Sequence, residues 1–194
     1  MRTTIRTLLT LLATLPTAVL ADASGVGWIE QSRAMAQALG SELKAELGKA
    51  IEQGGPVSAI GVCKTRAPEI AARLSEESGA DVGRTALRVR NPANAPDALE
   101  TLLLEQFGSE LASGGFQLPL QAAFEINRGG MVERRYMQAL PMDGLCLTCH
   151  GSALDAKVAA AIASEYPEDR ATGFAPGELR GAISIIWPPV PMQP

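Results

Sequence analysis

The chain is short of several residue types, and each shortage excludes something. Aromatic residues make up 4% of the 194 positions, so a core built on stacked rings is ruled out. There is one histidine, His150, so no site can draw on two imidazoles. Basic residues are in the minority: 17 Lys and Arg stand against 21 Asp and Glu, for a net charge of −4. That balance disfavours nucleic acid or an anionic membrane surface as a partner. Beyond the first 21 residues no stretch is long and apolar enough to span a bilayer, and no internal repeat is apparent. What remains is enough chain for one globular domain with a sizeable core.

The first 21 residues have a distinct composition. Arg2 and Arg6 precede an apolar run from Leu8 to Leu20, which ends Val19-Leu20-Ala21. A positive start, an apolar middle and a small residue at the cut describe a secretory signal peptide over 1–21. Thr14, Pro16 and Thr17 interrupt the run, against a retained anchor. Cleavage before Asp22 removes two arginines and no acids, so the mature chain is more acidic still. The expected destination is the periplasm, with no membrane attachment after cleavage.

Residues 146–150 read Cys-Leu-Thr-Cys-His. This is the pattern of covalent c-type haem attachment. Two cysteines three apart can both reach the vinyl groups of one porphyrin, and the adjacent imidazole can bind iron from below the ring. Export fits, because such attachment takes place outside the bacterial cytoplasm. Three other readings use the same residues. Cys63, Cys146, Cys149 and His150 are by count a Cys₃His zinc set, although Cys63 stands alone rather than in a pair. An oxidising compartment permits a Cys146–Cys149 disulfide. A redox dithiol would need a βαβ context, which Pro141 to Gly144 do not suggest.

Hydrophobic periodicity supplies the fold class. Ile29, Met35, Leu39, Leu43, Leu47 and Ile51 recur at helical spacing, predicting a helix from Trp28 to about Gln53 that Gly54-Gly55-Pro56 ends. Ile60, Cys63, Ala67, Ile70 and Leu74 form the apolar face of a second helix to Ser78, with a break or kink expected at Pro68. A tight turn between them predicts a helical hairpin. A short extended segment over 81–90 and a rigid loop from Asn91 to Pro96 follow. Asp97 with Glu100 resembles a capping box, opening a helix with Leu99, Leu102, Leu103, Phe107 and Leu111 inward. Gln121–Asn127 and Met131–Leu140 read as a β-hairpin, Asp155–Tyr166 as a short helix, and Arg180–Trp187 as a last strand before a proline-rich tail over 188–194. Helices first and antiparallel strands later indicate α+β, as one domain over 22–187.

Four stretches together carry a resemblance: Cys63-Lys64-Thr65-Arg66-Ala67-Pro68, the run from Gly83 to Asp97, Cys146 to Gly151, and Arg180-Gly181-Ala182-Ile183-Ser184. In this order they resemble the exported single-haem c proteins with a PAS-like fold, a domain family of unknown function found alone and as input domains of bacterial sensors. The likeness runs from about Val26 to Trp187; Ala86 departs from it, where many relatives have serine. It implies a PAS-like antiparallel sheet with helices on one side and a haem held against it. It also implies a distal iron ligand from the N-terminal helical region, at the position of Cys63. Sequence reasoning reaches Cys63 less firmly: the alternatives are Met131, Met137 or Met142, a lysine or water, and Cys63 can also be a buried thiol acting as a small hydrophobe. Arg84, Arg88 and Arg90 lie near these stretches and are candidates for the two propionates of one haem c, which guanidinium groups suit.

Function follows from the ligand set. A thiolate opposite His150 favours ferric iron, and its release on reduction would free a position for a diatomic gas and let a helix shift, as a redox or gas sensor requires. Its partner would be an unidentified periplasmic signalling or redox protein, since the chain shows no kinase, cyclase or chemoreceptor portion. The alternative is a periplasmic electron-transfer cytochrome c. An enzyme such as a peroxidase is disfavoured, because the one histidine is committed to iron and no distal base remains.

Overall fold

Gly55 sits at φ 75°, ψ −178°, a region only glycine enters without strain, and it folds the longest helix back on itself. The computed structural model describes residues 27–114 and 117–192, so the expected signal peptide lies outside the described residues. Helix α1 (Gly27–Ser78) comprises two limbs, 27–54 and 56–78. Pro56 opens the second limb, where a missing N–H costs little. Ion pairs cross between the limbs, Arg73–Glu42 at 2.7 Å and Arg66–Glu46 at 3.5 Å, and the Ser58 hydroxyl donates to Ala50 O at 2.8 Å beside the turn. The predicted hairpin therefore forms. The expected break at Pro68 does not, for Gly55 alone has non-helical dihedrals inside α1.

Four strands follow the hairpin and make one antiparallel sheet. They are β1 (Asp81–Thr85), β2 (Gln121–Arg128), β3 (Met131–Pro141) and β4 (Leu179–Pro191), in spatial order β1-β4-β3-β2. Gly129 and Gly130, at φ 64° and 85°, form the two-residue turn of the β2–β3 hairpin, whose twist suits paired strands. Alternation then sorts the faces. Tyr136, Ile183 and Ile185 face the α1 hairpin and pack with Leu39, Leu43, Ile70 and Leu74. Met137, Ala139 and Ala182 face the other way, onto helix α2 (Ala98–Ser113). The sheet thus carries helices on both faces, where the resemblance implied one.

The predicted capping box at Asp97 and Glu100 is present, and it changes which face of α2 is buried. Glu100 turns inward to accept from Asp97 N–H at 3.0 Å and from the Thr85 hydroxyl at 3.2 Å. The inward stripe is therefore Glu100, Leu104 and Phe107, one helical face, while Leu102 is 63% exposed.

The tail expected from Pro188 is instead strand as far as Pro191. Beyond Ile186, β4 has lost β1 and keeps only β3, with Val132 opposite Val190 and Met131 opposite Pro191. The register slips between these pairs and Arg134–Trp187, placing Pro188 and Pro189 at a bulge. An edge and a bulge are where proline, lacking an N–H, is tolerated in a sheet. Two short helices, α3 (Gly144–His150) and α4 (Ala156–Glu165), fill the connection from β3 to β4.

Candidate cofactor site

The Cys-Leu-Thr-Cys-His segment is helix α3, held at both ends. Asp143 is its N-cap, accepting Cys146 N–H at 3.2 Å through Oδ1 and Lys44 Nζ at 2.7 Å through Oδ2. Gly151 closes it, donating to Leu147 O at 2.9 Å. A Cβ at Gly151 would lie 2.6 Å from that oxygen, so the closing residue must be glycine. Helical spacing puts Cys146 and Cys149 on one face with His150 beside them. All three line a cavity of about 800 Å³, walled by both limbs of α1, β1 and the ends of β3 and β4. That volume lies in the upper part of the range of cofactor sites, about 300–1,000 Å³.

His150 is oriented from behind. Its Nδ1 lies 2.6 Å from Ala171 O, so Nδ1 carries the proton and Nε2 keeps its lone pair. Burial, then the nearby Arg180 and Arg90, push its pKa down to about 3. The imidazole is accordingly neutral at physiological pH, as a metal ligand must be. Burial raises the thiol pKa of Cys146, with help from Asp143, and that of Cys149. Neither is an activated thiolate of the redox-dithiol kind.

The three candidate arginines separate. Arg90 is a strut: its guanidinium pairs with Asp169 at 3.0 and 3.2 Å and donates to Cys149 O at 2.7 Å and Ala171 O at 3.2 Å. One side chain thus ties the end of the cysteine motif to the carbonyl that holds His150. Arg88 does not line the cavity. It lies over the Phe174 ring, 3.7 Å from the centroid, and pairs with Glu178 at 3.2 Å, so the expectation that it meets a propionate is corrected. Arg84 does line the cavity.

Cys63 enters the cavity from the second limb of α1. Ile60, one turn earlier on the same face, packs with Val158, Ile162 and Tyr166, and Cys149 joins that cluster. Of the methionine alternatives, Met142 is buried and lines the cavity, Met137 packs against α2 on the far face, and Met131 is exposed at the β-hairpin. Among the described residues no group of three or more His, Cys, Asp or Glu is arranged to hold a metal ion, and the three cysteines are free. The zinc and disulfide readings have no support in this geometry. The antiparallel sheet likewise lacks the βαβ unit of a thioredoxin-type site.

Sequence reasoning missed Arg180, Lys44 and Tyr166, all of which line the cavity. Arg180 was within reach, since it opens a quoted stretch. Lys44 was not, because its role depends on a partner far along the chain.

The family model described as Tll0287-like matches residues 17–188. The chain belongs to the Tll0287-like family. Its structure is similar to the crystal structure of the cyanobacterial haem-protein Tll0287, with a TM-score of 0.57 and 24% identity, covering 86% of this chain and 95% of that one. No curated protein matches the chain. The Tll0287-like match spans every wall of the cavity, from α1 through the cysteine motif to β4.

Proposed function

We propose that this Tll0287-like protein is an exported haem c protein that senses redox state or a diatomic gas in the periplasm. The observation that carries this reading is one cavity lined by Cys146, Cys149, His150 and Cys63. The residues fit the group. The thiols of Cys146 and Cys149, side by side on the cavity wall, would form the thioethers, and neutral His150 would offer Nε2 to iron. Iron, when bound, supplies a centre that changes oxidation state and exchanges ligands. Cys63 would be the second candidate to hold the iron, with Met142 next.

What favours sensing is where Cys63 sits. It lies on a limb hinged at Gly55 and held to its surroundings by exposed ion pairs, Lys64–Glu165 and Arg66–Glu46. Pairs of that kind contribute about 0–1 kcal/mol each, whereas Ile60, Ile70 and Leu74 of the same limb are packed in the core, so a change at Cys63 bears directly on how this limb packs against its neighbours. The partner is an unidentified periplasmic signalling or redox protein. Electron transfer is the second reading. It draws on Leu118 and Leu145, 62% and 40% exposed on the cavity lining, which offer an apolar contact beside the motif. With the one histidine given to iron, the usual distal histidine base for peroxide chemistry is missing, so an enzymatic role is not proposed.

The test is an optical and EPR spectrum of exported protein, ferric and then reduced, beside Cys63→Ala. Haem that resists acid-acetone extraction, and a ferric low-spin thiolate signal absent from the variant, are expected. Ligand change or CO binding on reduction then supports sensing; one ligand set in both oxidation states favours electron transfer. Absence of haem refutes the proposal.

A further inference from the structure

Five charged side chains line the cavity: Lys44, Arg84, Arg90, Asp143 and Arg180. Three are matched within the protein. Lys44 pairs with Asp143, and Arg90 with Asp169. Asp169 is engaged at both oxygens, Oδ1 also accepting Ala171 N–H while Oδ2 holds the other arm of Arg90, and it makes no ion pair with Arg180. Arg84 and Arg180 are left over. Among the described residues Arg84 has no hydrogen bond or ion pair, and Arg180 donates once, to Arg88 O at 3.2 Å.

The sheet aims both into the cavity. Arg84 stands opposite Ile183, whose side chain lines the same space. Strict alternation would turn Arg180 to the opposite face from its neighbour Gly181. The register, however, slips from Leu140–Gly181 to Pro141–Leu179, leaving Arg180 unpaired at a bulge. Bulges re-aim side chains in this way. Burial lowers the pKa of Arg84, and that of Arg180 to about 10; a guanidinium in a protein carries its charge at neutral pH. Two half-buried cations that face one cavity without an ion-pair partner repel each other, and an occupant carrying two negative groups would supply the missing counter-charge.

We infer that Arg84 and Arg180 are the anion-anchoring pair of this cavity and that its occupant carries two carboxylates. The inference rests on the haem reading, for a haem has two propionates, and it excludes a neutral apolar occupant such as a lipid tail. It also assigns Arg180 a binding role and gives the β4 bulge a purpose.

The test compares haemin with its dimethyl ester, which has the same ring and iron but no free carboxylate. Both are titrated into full-chain protein produced without haem-attachment machinery, with thiols kept reduced. Wild-type protein is expected to bind haemin at least about tenfold more tightly than the ester. Arg84→Gln and Arg180→Gln are each expected to lower haemin affinity toward that of the ester and to leave ester affinity unchanged. Equal affinity of the wild type for both probes overturns the arginine inference and leaves the haem reading standing. Binding of neither probe, by protein whose circular dichroism shows it folded, overturns both. The wild-type comparison stands even if a variant fails to fold.

Discussion

Lys44 and Asp143 are 99 residues apart in sequence and meet at 2.7 Å. The carboxylate that caps α3 is therefore the same one that fastens the first limb of α1 to the cysteine motif. The two walls of the cavity are pinned at this point.

Asp143→Ala removes an N-cap and is expected to cost about 1 kcal/mol, read as a lower thermal midpoint. Lys44, then Cys146, hold the Asp143 pKa at about 2, below its ordinary 3.8. A carboxylate depressed on folding stabilises above its unfolded pKa, and that stability is lost as pH falls through the folded value. Wild-type protein should lose this contribution between about pH 4 and pH 2, and the variant should titrate more flatly there. Asp143 is nearly half exposed, so screening keeps the acid-dependent part under about 1 kcal/mol.

Asp169→Asn tests the strut. Arg90 and Asp169 are 7% and 8% exposed, and removing one charge leaves the other buried and unpaired. A loss of about 3–5 kcal/mol is expected in urea denaturation. A loss below about 1 kcal/mol would show that Arg90 does not depend on Asp169.

Gly181→Ala is expected to disturb the β1–β4 seam. The added Cβ would lie 2.5 Å from Thr85 O and 2.9 Å from the Ala86 Cβ, and backbone cannot step aside. Overpacking of this kind costs about 1–3 kcal/mol. Gly48→Ala is the contrast, since a Cβ there meets nothing within 4 Å inside a helix. It should stabilise by about 1 kcal/mol in the same denaturation series.

Gly55→Ala places a side chain where φ is 75° and ψ is −178°. The expected cost is about 1–3 kcal/mol, although nothing lies within 4 Å of the new Cβ. Full stability in the variant would show that the limbs meet through some other turn.

The hairpin, the capping box, the β2–β3 turn and the cysteine motif were legible because each is written in residues close together in sequence. Gly55-Pro56, Asp97 with Glu100, and Gly129-Gly130 act on their own neighbours. What was not legible depends on partners from afar. Of the inward stripe expected on α2, Phe107 is buried and Leu103 packs beside it, but Leu102 is exposed and Glu100 is drawn inward toward Thr85; the end of β4 was missed because its prolines sit where one neighbour strand has already stopped. Within the site the cysteines and His150 could be read from spacing, whereas the arginines could not. Arg84, Arg88 and Arg90 look alike in sequence, yet one is unpaired, one is stacked on Phe174 and one is committed to Asp169. A bulge of one residue decided the direction of Arg180.

β4, the last in sequence of the four described strands, occupies the interior of the sheet, between β1 and β3. Until it arrives, β1 has no sheet partner, the β2–β3 hairpin stands alone, and the cavity has no floor. The closing step joins residues 81–85 to residues 182–186, a long-range pairing of the kind that slows folding. Any chain cut short before Leu179 keeps the cysteine motif but lacks the surface it faces. Order of assembly thus becomes a checkpoint: α3, with Cys146, Cys149 and His150, is made before β4, and these side chains face a finished chamber only once β4 has joined the sheet.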